Sequence, residues 1–291
     1  MRSTRPPGPV CDPRGVDSSF EWKQYYTDER TRLGTAALLA LIEEAQPLEL
    51  RAGGALIVPH TRIEVTGRQI ATAVSTVLAS GVDRVLALGV LHGARRSDQA
   101  RVSAARNGDR VARDELRRVH NEDGMATEEF SLDGFVAMLG LATERAHRRI
   151  DVVRRYPFLV GDEPASLPGI DELEDLVAAG AMLVATTDPI HHGHGYGTPP
   201  TDCLDPAAAG TLAAARSAID DQLAALADHR FDDFAALAEQ HRSDFRDTGP
   251  VTAQLMGRRL APEVHDLVLV DYAEVLGQPA PTWVAGALIS L

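Results

Sequence analysis

Histidine and aspartate side chains stand at the ends of three apolar runs in this sequence, where they could bind a metal ion or move a proton. They are His60, His92 and Asp188. Just beyond Asp188, residues 191–195 read His-His-Gly-His-Gly, so that five of the ten histidines follow such runs. Neutral imidazole is the commonest protein ligand of metals and suits Fe, Cu and Zn. The pattern therefore indicates a metal centre with histidine ligands.

Each of these residues also has a purely structural interpretation. A single histidine after a strand is more often a loop or capping residue, and the His191–His194 cluster is also compatible with a Gly-rich turn in solvent. The alternation of His192 and His194 suits a zinc hydrolase as well. Ligands of that kind normally lie on a strand, however, and the flanking glycines favour a loop. The coincidence of three strand ends favours the metal centre, although spacing alone does not show that the side chains converge.

The apolar runs that precede these residues are short and continuous, which is typical of strands buried on both faces. They cover residues 55–58, 84–91 and 181–187. Ligands of open α/β sheets bind outside the carboxyl ends of the strands. The sequence therefore predicts an α/β fold in which a central, mostly parallel sheet is covered by helices on both faces and holds the site at one edge.

Other segments complete the predicted sheet and its helical layers. Helical spacing of apolar residues predicts helices over 31–45, 66–78, 131–142, 173–179 and 206–241, the last with a break near His229. Further strands are expected over 150–160, 267–272 and 283–291. Thr248-Gly249-Pro250 is typical of a turn that opens one more helix. Residues 1–20, rich in Pro, Gly and Arg, are expected to form a loose N-terminal arm before one domain over 21–291.

The composition of the chain argues against some classes of binding partner. The chain has 291 residues and a formal net charge of −13, which argues against binding to a nucleic-acid backbone. No apolar run approaches the roughly 20 residues that span a bilayer, and no secretory signal is visible. Cys11 and Cys203 are too few for a disulfide framework, which fits a reducing cytoplasm. We expect a cytoplasmic protein without nucleic-acid or membrane partners, and the sequence is compatible with a homo-oligomer.

Seven short segments together resemble a known family. Pro59-His60, with Gly67, resembles a "PHAGY…SG" motif; residues 88–92 resemble "LGPNH"; and residues 186–193 resemble "STDFSHYG". The remaining four segments are similar to the family's N-terminal aromatic segment and to its "EHSLE", "GPI" and "VVGYA" motifs: 25–27 with Leu33, 129–133, 249–251 and 284–287. The family is Memo, also called AmmeMemoRadiSam system protein B, which is related in fold to the class III extradiol dioxygenases.

The resemblance implies roles for individual residues. His60 and His92 would bind the metal, His191 would act beside it as an acid/base group, and Asp188 would lie next to His191. In the related dioxygenases, two histidines and one carboxylate hold Fe(II) and leave positions open for O₂ and a bidentate substrate. A nearby histidine takes the second proton of a catechol-like substrate.

Several positions depart from the family pattern. Gln278 stands where some members have a cysteine as third ligand, and Glu274, close by, is the candidate carboxylate ligand. Without a thiolate the site favours Fe(II) over Cu, with Zn as an alternative. Phe130 replaces a family histidine. Arg62 follows the first ligand and could pair with a substrate carboxylate, and His192 is a second candidate for contact with substrate.

Three functional hypotheses follow from these observations. The first is a non-haem Fe(II)-dependent oxygenase of the class III extradiol type that combines O₂ with a small aromatic or phenolic molecule. The second is a Memo-like protein that binds metal without turnover and serves signalling or the maturation of another enzyme. The third is a zinc hydrolase that activates water with the same histidines.

Overall fold

The structure of the chain is a computed structural model that describes residues 21–51, 53–93, 95–161, 163–257 and 260–291. The N-terminal arm expected over residues 1–20 lies outside the described residues. The strands, numbered along the chain, are β1 (Leu56–Val58), β2 (Arg84–Leu88), β3 (Arg118–His120), β4 (Asp151–Phe158), β5 (Met182–Thr186), β6 (Ile190–Gly193), β7 (Glu263–Asp271) and β8 (Thr282–Ser290).

These strands form one mixed sheet with a parallel centre. Its order is β3-β4-β2-β5-β1-β8-β6, and β7 pairs with the other side of β8. Strands β4, β2, β5 and β1 run parallel to one another, whereas β3, β6, β7 and β8 pair antiparallel with their neighbours. The ends of β1, β2 and β5 therefore lie side by side at one edge of the parallel region.

Helices cover both faces of the sheet. They are α1 (Trp22–Glu44), α2 (Ile63–Ser80), α3 (Arg96–Arg106), α4 (Arg110–Leu116), α5 (Asp133–Arg145), α6 (Ile170–Ala178), α7 (Thr211–Ala227), α8 (Phe231–Gln240) and α9 (Phe245–Met256). Because side chains alternate along a strand, Leu56 and Val58 pack with α1, α2 and α5, while Ile57 packs with α6 to α9. All three side chains are fully buried. This two-sided burial explains why the strand sequence is continuously apolar.

The predicted α/β class, with helices on both faces of a sheet, is confirmed. The break near His229 is also confirmed, since α7 ends at Ala227 and α8 begins at Phe231. His229 itself has a φ of +54°, which ends the first helix. Among the described residues, no helix is both long and apolar enough to cross a membrane.

Two local predictions are wrong. The segment around His191 and His192 was expected to be a loop, but residues 190–193 pair with β8 as strand β6. Thr248-Gly249-Pro250 was expected to be a turn, but it lies inside the buried helix α9. A Cβ atom at Gly249 would lie 3.0 Å from Cζ of Phe234, so glycine serves close packing there. In both places tertiary contacts outweigh the local preference of glycine and proline.

Candidate metal centre

Two imidazoles and one carboxylate come together at the edge of the sheet where β1, β2 and β5 end. One ligand atom each of His60, His92 and Asp244 lies within 4.8 Å of the other two. The Nε2 atom of His60 is 3.5 Å from Oδ2 of Asp244, and the Nε2 atom of His92 is 3.3 Å from the same oxygen. The structure therefore brings the two predicted histidine ligands together, with an aspartate between them.

Backbone topology positions both histidines. His60 follows β1 and His92 follows β2, and both strands are hydrogen-bonded to β5 in parallel. The two ring centroids are 5.2 Å apart. The side chains of His60 and His92 are 3% and 10% exposed, respectively. The convergence of strand ends that the sequence predicted thus places two imidazoles in one largely buried site.

Asp244 reaches this site from a separate part of the chain, directly before α9. Its backbone N–H donates to the carbonyl oxygen of Asp188 at 3.1 Å. Two residues earlier, the carbonyl oxygen of Arg242 accepts a hydrogen bond from Nδ1 of His191 at 2.9 Å. Arg242 has a φ of +50°, a conformation that is rare for a side-chain-bearing residue and often found at functional sites. This short, tightly bonded segment fixes the position of the carboxylate.

The third ligand predicted from the sequence is corrected by these positions. Glu274 lies in the turn after β7 and its side chain is exposed. The carboxylate beside the imidazoles belongs instead to Asp244, whose side chain is 5% exposed. Asp244 follows a helix rather than a strand, so the rule of strand ends that found the histidines could not find it. The sequence offered no other signal for it.

Glu129 holds His92 in place and was also missed as a functional residue. Its Oε1 accepts hydrogen bonds from the backbone N–H groups of His92 at 2.8 Å and Gly93 at 2.7 Å. Its Oε2 lies 3.1 Å from Nδ1 of His92. Because a carboxylate only accepts, Nδ1 carries a proton, and a metal ion would bind through Nε2, the nitrogen that faces Asp244. The segment that carries Glu129 was noted only for its family resemblance.

His191 and Asp188 complete the polar groups of the site. The Nε2 atom of His191 is 3.4 Å from Oδ2 of Asp244. Since its Nδ1 donates to a carbonyl oxygen, Nε2 is the nitrogen that faces Asp244 and the histidine cluster. Oδ1 of Asp188 accepts the backbone N–H of His60 at 3.3 Å. The structure therefore brings Asp188 and His191 together with His60 and His92, the two candidate metal ligands.

The charges of this site shift the pKa values of its members. Burial raises the pKa of Asp188 to about 6, because the imidazole of His60 only partly offsets it. Burial also acts to raise the pKa of Asp244, but His191, His60 and His92 hold that pKa well below its usual range. For His92, burial acts to lower the pKa, yet hydrogen bonds to Asp244 and Glu129 raise it to about 9. Asp244 is therefore a carboxylate, and in the absence of metal His92 is protonated at neutral pH.

The donor set fits a divalent metal ion. Three buried carboxyl groups, those of Asp188, Asp244 and Glu129, face three imidazoles, so a cation held between them would meet compensating negative charge. Ligand atoms about 2.0–2.1 Å from a tetrahedral ion lie roughly 3.4 Å apart. Two of the three separations, 3.3 and 3.5 Å, are close to that spacing, and the third is no more than 4.8 Å. The residues present can therefore hold a metal ion through His60, His92 and Asp244.

Aromatic rings form one wall of the site. Phe130 stacks on His92 with ring centroids 4.6 Å apart, and it lies 6.3 Å from the ring of His60. On its other side Phe130 contacts Tyr26, whose hydroxyl is 2.9 Å from that of Tyr272. The residue that replaces a family histidine thus shields the imidazoles from that direction and cannot itself bind metal.

The two predicted substrate contacts lie away from the cluster. The guanidinium of Arg62 is 2.8 Å from Glu64 and 4.0 Å from Glu29, so two carboxylates already balance it. His192 follows His191 on β6, and alternation along the strand turns its ring to the opposite face. There Nε2 of His192 accepts the backbone N–H of residue 204, and the ring stacks on Trp283 at 4.7 Å. Neither side chain is among the groups that the structure gathers around His60 and His92.

A cavity of about 330 Å³ opens onto the cluster, and His92 and Asp244 are part of its wall. This volume is at the lower end of the range for small-molecule sites. The remaining wall comes from α3 and from the segment between α8 and α9, including Gln99, Arg106 and Arg242. A small molecule in this cavity would contact the candidate metal ligands directly.

No family model matches the chain, and no curated protein matches it. What the described residues establish is an α/β protein with a buried His60–His92–Asp244 cluster that can hold a metal ion.

Proposed function

We propose that the protein is a non-haem Fe(II)-dependent oxygenase of the class III extradiol type, acting on a small aromatic or phenolic molecule. One observation carries the proposal: two imidazoles and one carboxylate, the ligand set typical of such oxygenases, surround one point beside a cavity. The resemblance of the sequence to the Memo family supports it as well. In this proposal the carboxylate ligand is Asp244, not Glu274 as expected from the sequence.

The bound metal would supply a meeting point for substrate and O₂, which otherwise reacts poorly with closed-shell organic molecules. The protein's own groups would position the substrate and move its protons. Nε2 of His191 accepts the proton of a substrate hydroxyl, because Nδ1 is already committed to the carbonyl oxygen of Arg242. The stacked ring of Phe130 excludes water from the far side of His92. Glu129 keeps His92 in the tautomer that a metal ligand requires.

Metal content and oxygen uptake test this proposal together. We expect about one iron per chain after anaerobic reconstitution with Fe(II), and oxygen consumption with a member of a panel of catechols and aminophenols. Replacing His191 by Ala should leave the iron content unchanged and remove oxygen uptake. Fully loaded protein that consumes no oxygen with any of the panel would contradict the oxygenase and favour a Memo-like protein that binds metal without turnover.

The ligand assignment predicts a contrast between two carboxylates. Asp244→Asn should reduce iron content well below one per chain, as should His60→Ala and His92→Ala, because each removes one of three ligands. Glu274→Gln, an exposed carboxylate in the turn after β7, is the matched control and should retain iron. Circular dichroism would verify that the variants are folded. Full occupancy in Asp244→Asn together with loss in Glu274→Gln would show that the assignment of the third ligand is wrong.

A zinc hydrolase is the second candidate, and the spacing of the cluster favours it. Two histidines and one carboxylate are also a ligand set of catalytic zinc, with water in the fourth position. The separations of 3.3 and 3.5 Å suit a tetrahedral ion. Zinc as the metal retained after purification, with ester or amide hydrolysis and no oxygen uptake, would support this candidate over the oxygenase.

A further inference from the structure

Arginine side chains gather in the cavity beside the metal centre. Arg106, Arg242 and Arg246 all form part of its wall. These arginines place positive charge at the cavity, although the formal net charge of the whole chain is −13. A charge of this sign, confined to a concave surface, attracts anions to that place.

Two of these three arginines pair with carboxylates. Arg106 is balanced by Asp247 at 2.6 Å, and that carboxylate is almost fully buried. Arg246 lies 3.6 Å from Glu239, but the side chain of Glu239 is 81% exposed, so water screens this pair.

Arg242 forms no ion pair with any described residue. Its Nη2 atom donates to the carbonyl oxygen of Gly197 at 3.0 Å, and no carboxylate accepts from it. Arg242 is part of the cavity wall, two residues before Asp244. Among the described residues, no carboxylate forms an ion pair with its guanidinium, which distinguishes it from Arg106 and Arg246.

We propose that Arg242, assisted by Arg246, binds a carboxylate group of the substrate in this cavity. Guanidinium groups match the planar, two-oxygen geometry of a carboxylate. The cavity of about 330 Å³ limits the ligand to a small molecule, such as a single ring with one acidic substituent. A molecule anchored there by its carboxylate reaches His92 and Asp244 at the same cavity wall. Arg242 therefore takes the role that the sequence suggested for Arg62.

This inference rests on the proposed function only in naming the bound molecule as the substrate of the metal centre. The binding site can be tested without metal. We would measure binding of 4-fluorobenzoate and of the neutral 4-fluorobenzamide by fluorine NMR, on protein from which metal and then chelator have been removed by dialysis. The variants are Arg242→Asn, because asparagine tolerates a positive φ, and Arg246→Gln. Arg101→Gln is the matched control, since Arg101 is an exposed arginine of α3 that pairs with Glu115.

We expect 4-fluorobenzoate to bind at least about tenfold more tightly than 4-fluorobenzamide, as one hydrogen bond to a charged group would give. Arg242→Asn should remove most of that preference, Arg246→Gln part of it, and Arg101→Gln none. Equal binding of the two probes by the unaltered protein would overturn the proposal, even if Arg242→Asn did not fold. The same holds if Arg242→Asn and Arg246→Gln both behave like the control. Displacement of the probe by inorganic phosphate at lower concentration than by benzoate would overturn the assignment to a carboxylate.

The two proposals fail in different ways. Loss of the benzoate preference alongside normal iron binding would reject only the carboxylate site. Normal benzoate binding by a protein that holds no metal would reject the oxygenase and leave the carboxylate site standing.

Discussion

His92 lies between two carboxylates, and this arrangement makes metal binding depend on pH. Hydrogen bonds to Asp244 and Glu129 outweigh the effect of burial and raise the pKa of His92 to about 9. A metal ion binds only the deprotonated nitrogen, so below that pH it must displace a proton. Affinity should therefore increase as pH rises towards 9 and decrease as pH falls, by up to about tenfold per pH unit for one proton.

Calorimetry checks this dependence. Titration of metal in buffers of different ionisation enthalpy reports how many protons leave per ion bound. We expect close to one proton at pH 7 and fewer as the pH passes 9. Release of no proton at pH 7 would show that His92 is neutral in the metal-free protein.

Glu129 provides a second prediction for a single residue. Glu129→Gln keeps the shape of the side chain but weakens the acceptor for Nδ1 of His92 and for two backbone N–H groups. Loss of such an outer partner commonly costs roughly 10–100-fold in metal affinity. The neighbouring Glu128 is the control, because its side chain is 46% exposed and pairs with Lys23. Competition with a chelator would measure both variants, and equal affinities would argue against a positioning role for Glu129.

The histidines of the site and Asp188 could be predicted from the sequence, whereas Asp244 and Glu129 could not. His60 and His92 each follow an apolar run, and parallel strands bring such positions to one edge. Asp244 follows the turn after α8. Its approach depends on the hydrogen bond from its own N–H to Asp188 and on the one from His191 to the carbonyl oxygen of Arg242, and no local pattern encodes either of them. Glu129 likewise acts through contacts with a segment 37 residues away. Long-range contacts, which the sequence does not reveal, therefore bring Asp244 and Glu129 to the site.

Among the connecting segments, the turn from His92 to α3 shows why glycine is required next to a metal ligand. Gly93 has a φ of +74°, and a Cβ atom there would lie 2.9 Å from the carbonyl carbon of Asp98 and from the backbone nitrogen of Gln99. Its N–H group donates to Glu129 at 2.7 Å. The glycine therefore lets α3 begin directly beside the strand end.

We expect Gly93→Ala to destabilise the protein more than Gly108→Ala. Gly108 also has a positive φ, +91°, but nothing lies within 4 Å of a Cβ atom there. The conformational cost of alanine, about 1–2 kcal/mol, is common to both, whereas overpacking against backbone adds roughly 1–3 kcal/mol at Gly93 alone. Urea unfolding measures the difference, and equal losses would show that the α3 segment moves aside without cost.

Elements with a strong hydrophobic pattern were predicted, and those made by tertiary contact were not. β1, β2, β4, β5, β7 and β8 all overlap predicted strands. The signal is clearest for β1, β5 and β8, which are buried almost throughout. Strand β6 was not predicted, because the glycines around it favour a loop, whereas its pairing with β8 makes it a strand. Helix α1 begins at Trp22, nine residues before the predicted start, and Gly34 interrupts its helical geometry with a φ of +74°. Helices α3 and α4 are short, polar segments whose pattern gave no prediction.

At the scale of the whole molecule, the last strand holds the sheet together. β8 pairs with β7 on one side and with both β1 and β6 on the other. All of its residues except Ser290 are buried. Removing it would leave β6 and β7 without partners, would expose one edge of β1 and would open the core on both faces.

We therefore expect a chain shortened to residue 281 to lose its cooperative thermal transition. Ser290→Ala, at the less buried end of the strand, should unfold within a few degrees of the unaltered protein, since the hydrogen bond that its hydroxyl makes to His265 is exposed to solvent. Calorimetry would compare the two. A shortened chain that still unfolded in one sharp transition would mean that β8 adds little to the core.

The cluster also joins distant parts of the chain. His92 and Asp244 are separated by 152 residues, and the backbone from His241 to Asp244 is tied to the sheet by three hydrogen bonds, at 3.0, 2.9 and 3.1 Å. A cation shared by His60, His92 and Asp244 would act there as a crosslink. Amide hydrogens at the start of α9 would then exchange with solvent more slowly when metal is bound, and chelation would loosen the C-terminal third of the molecule before the parallel strands.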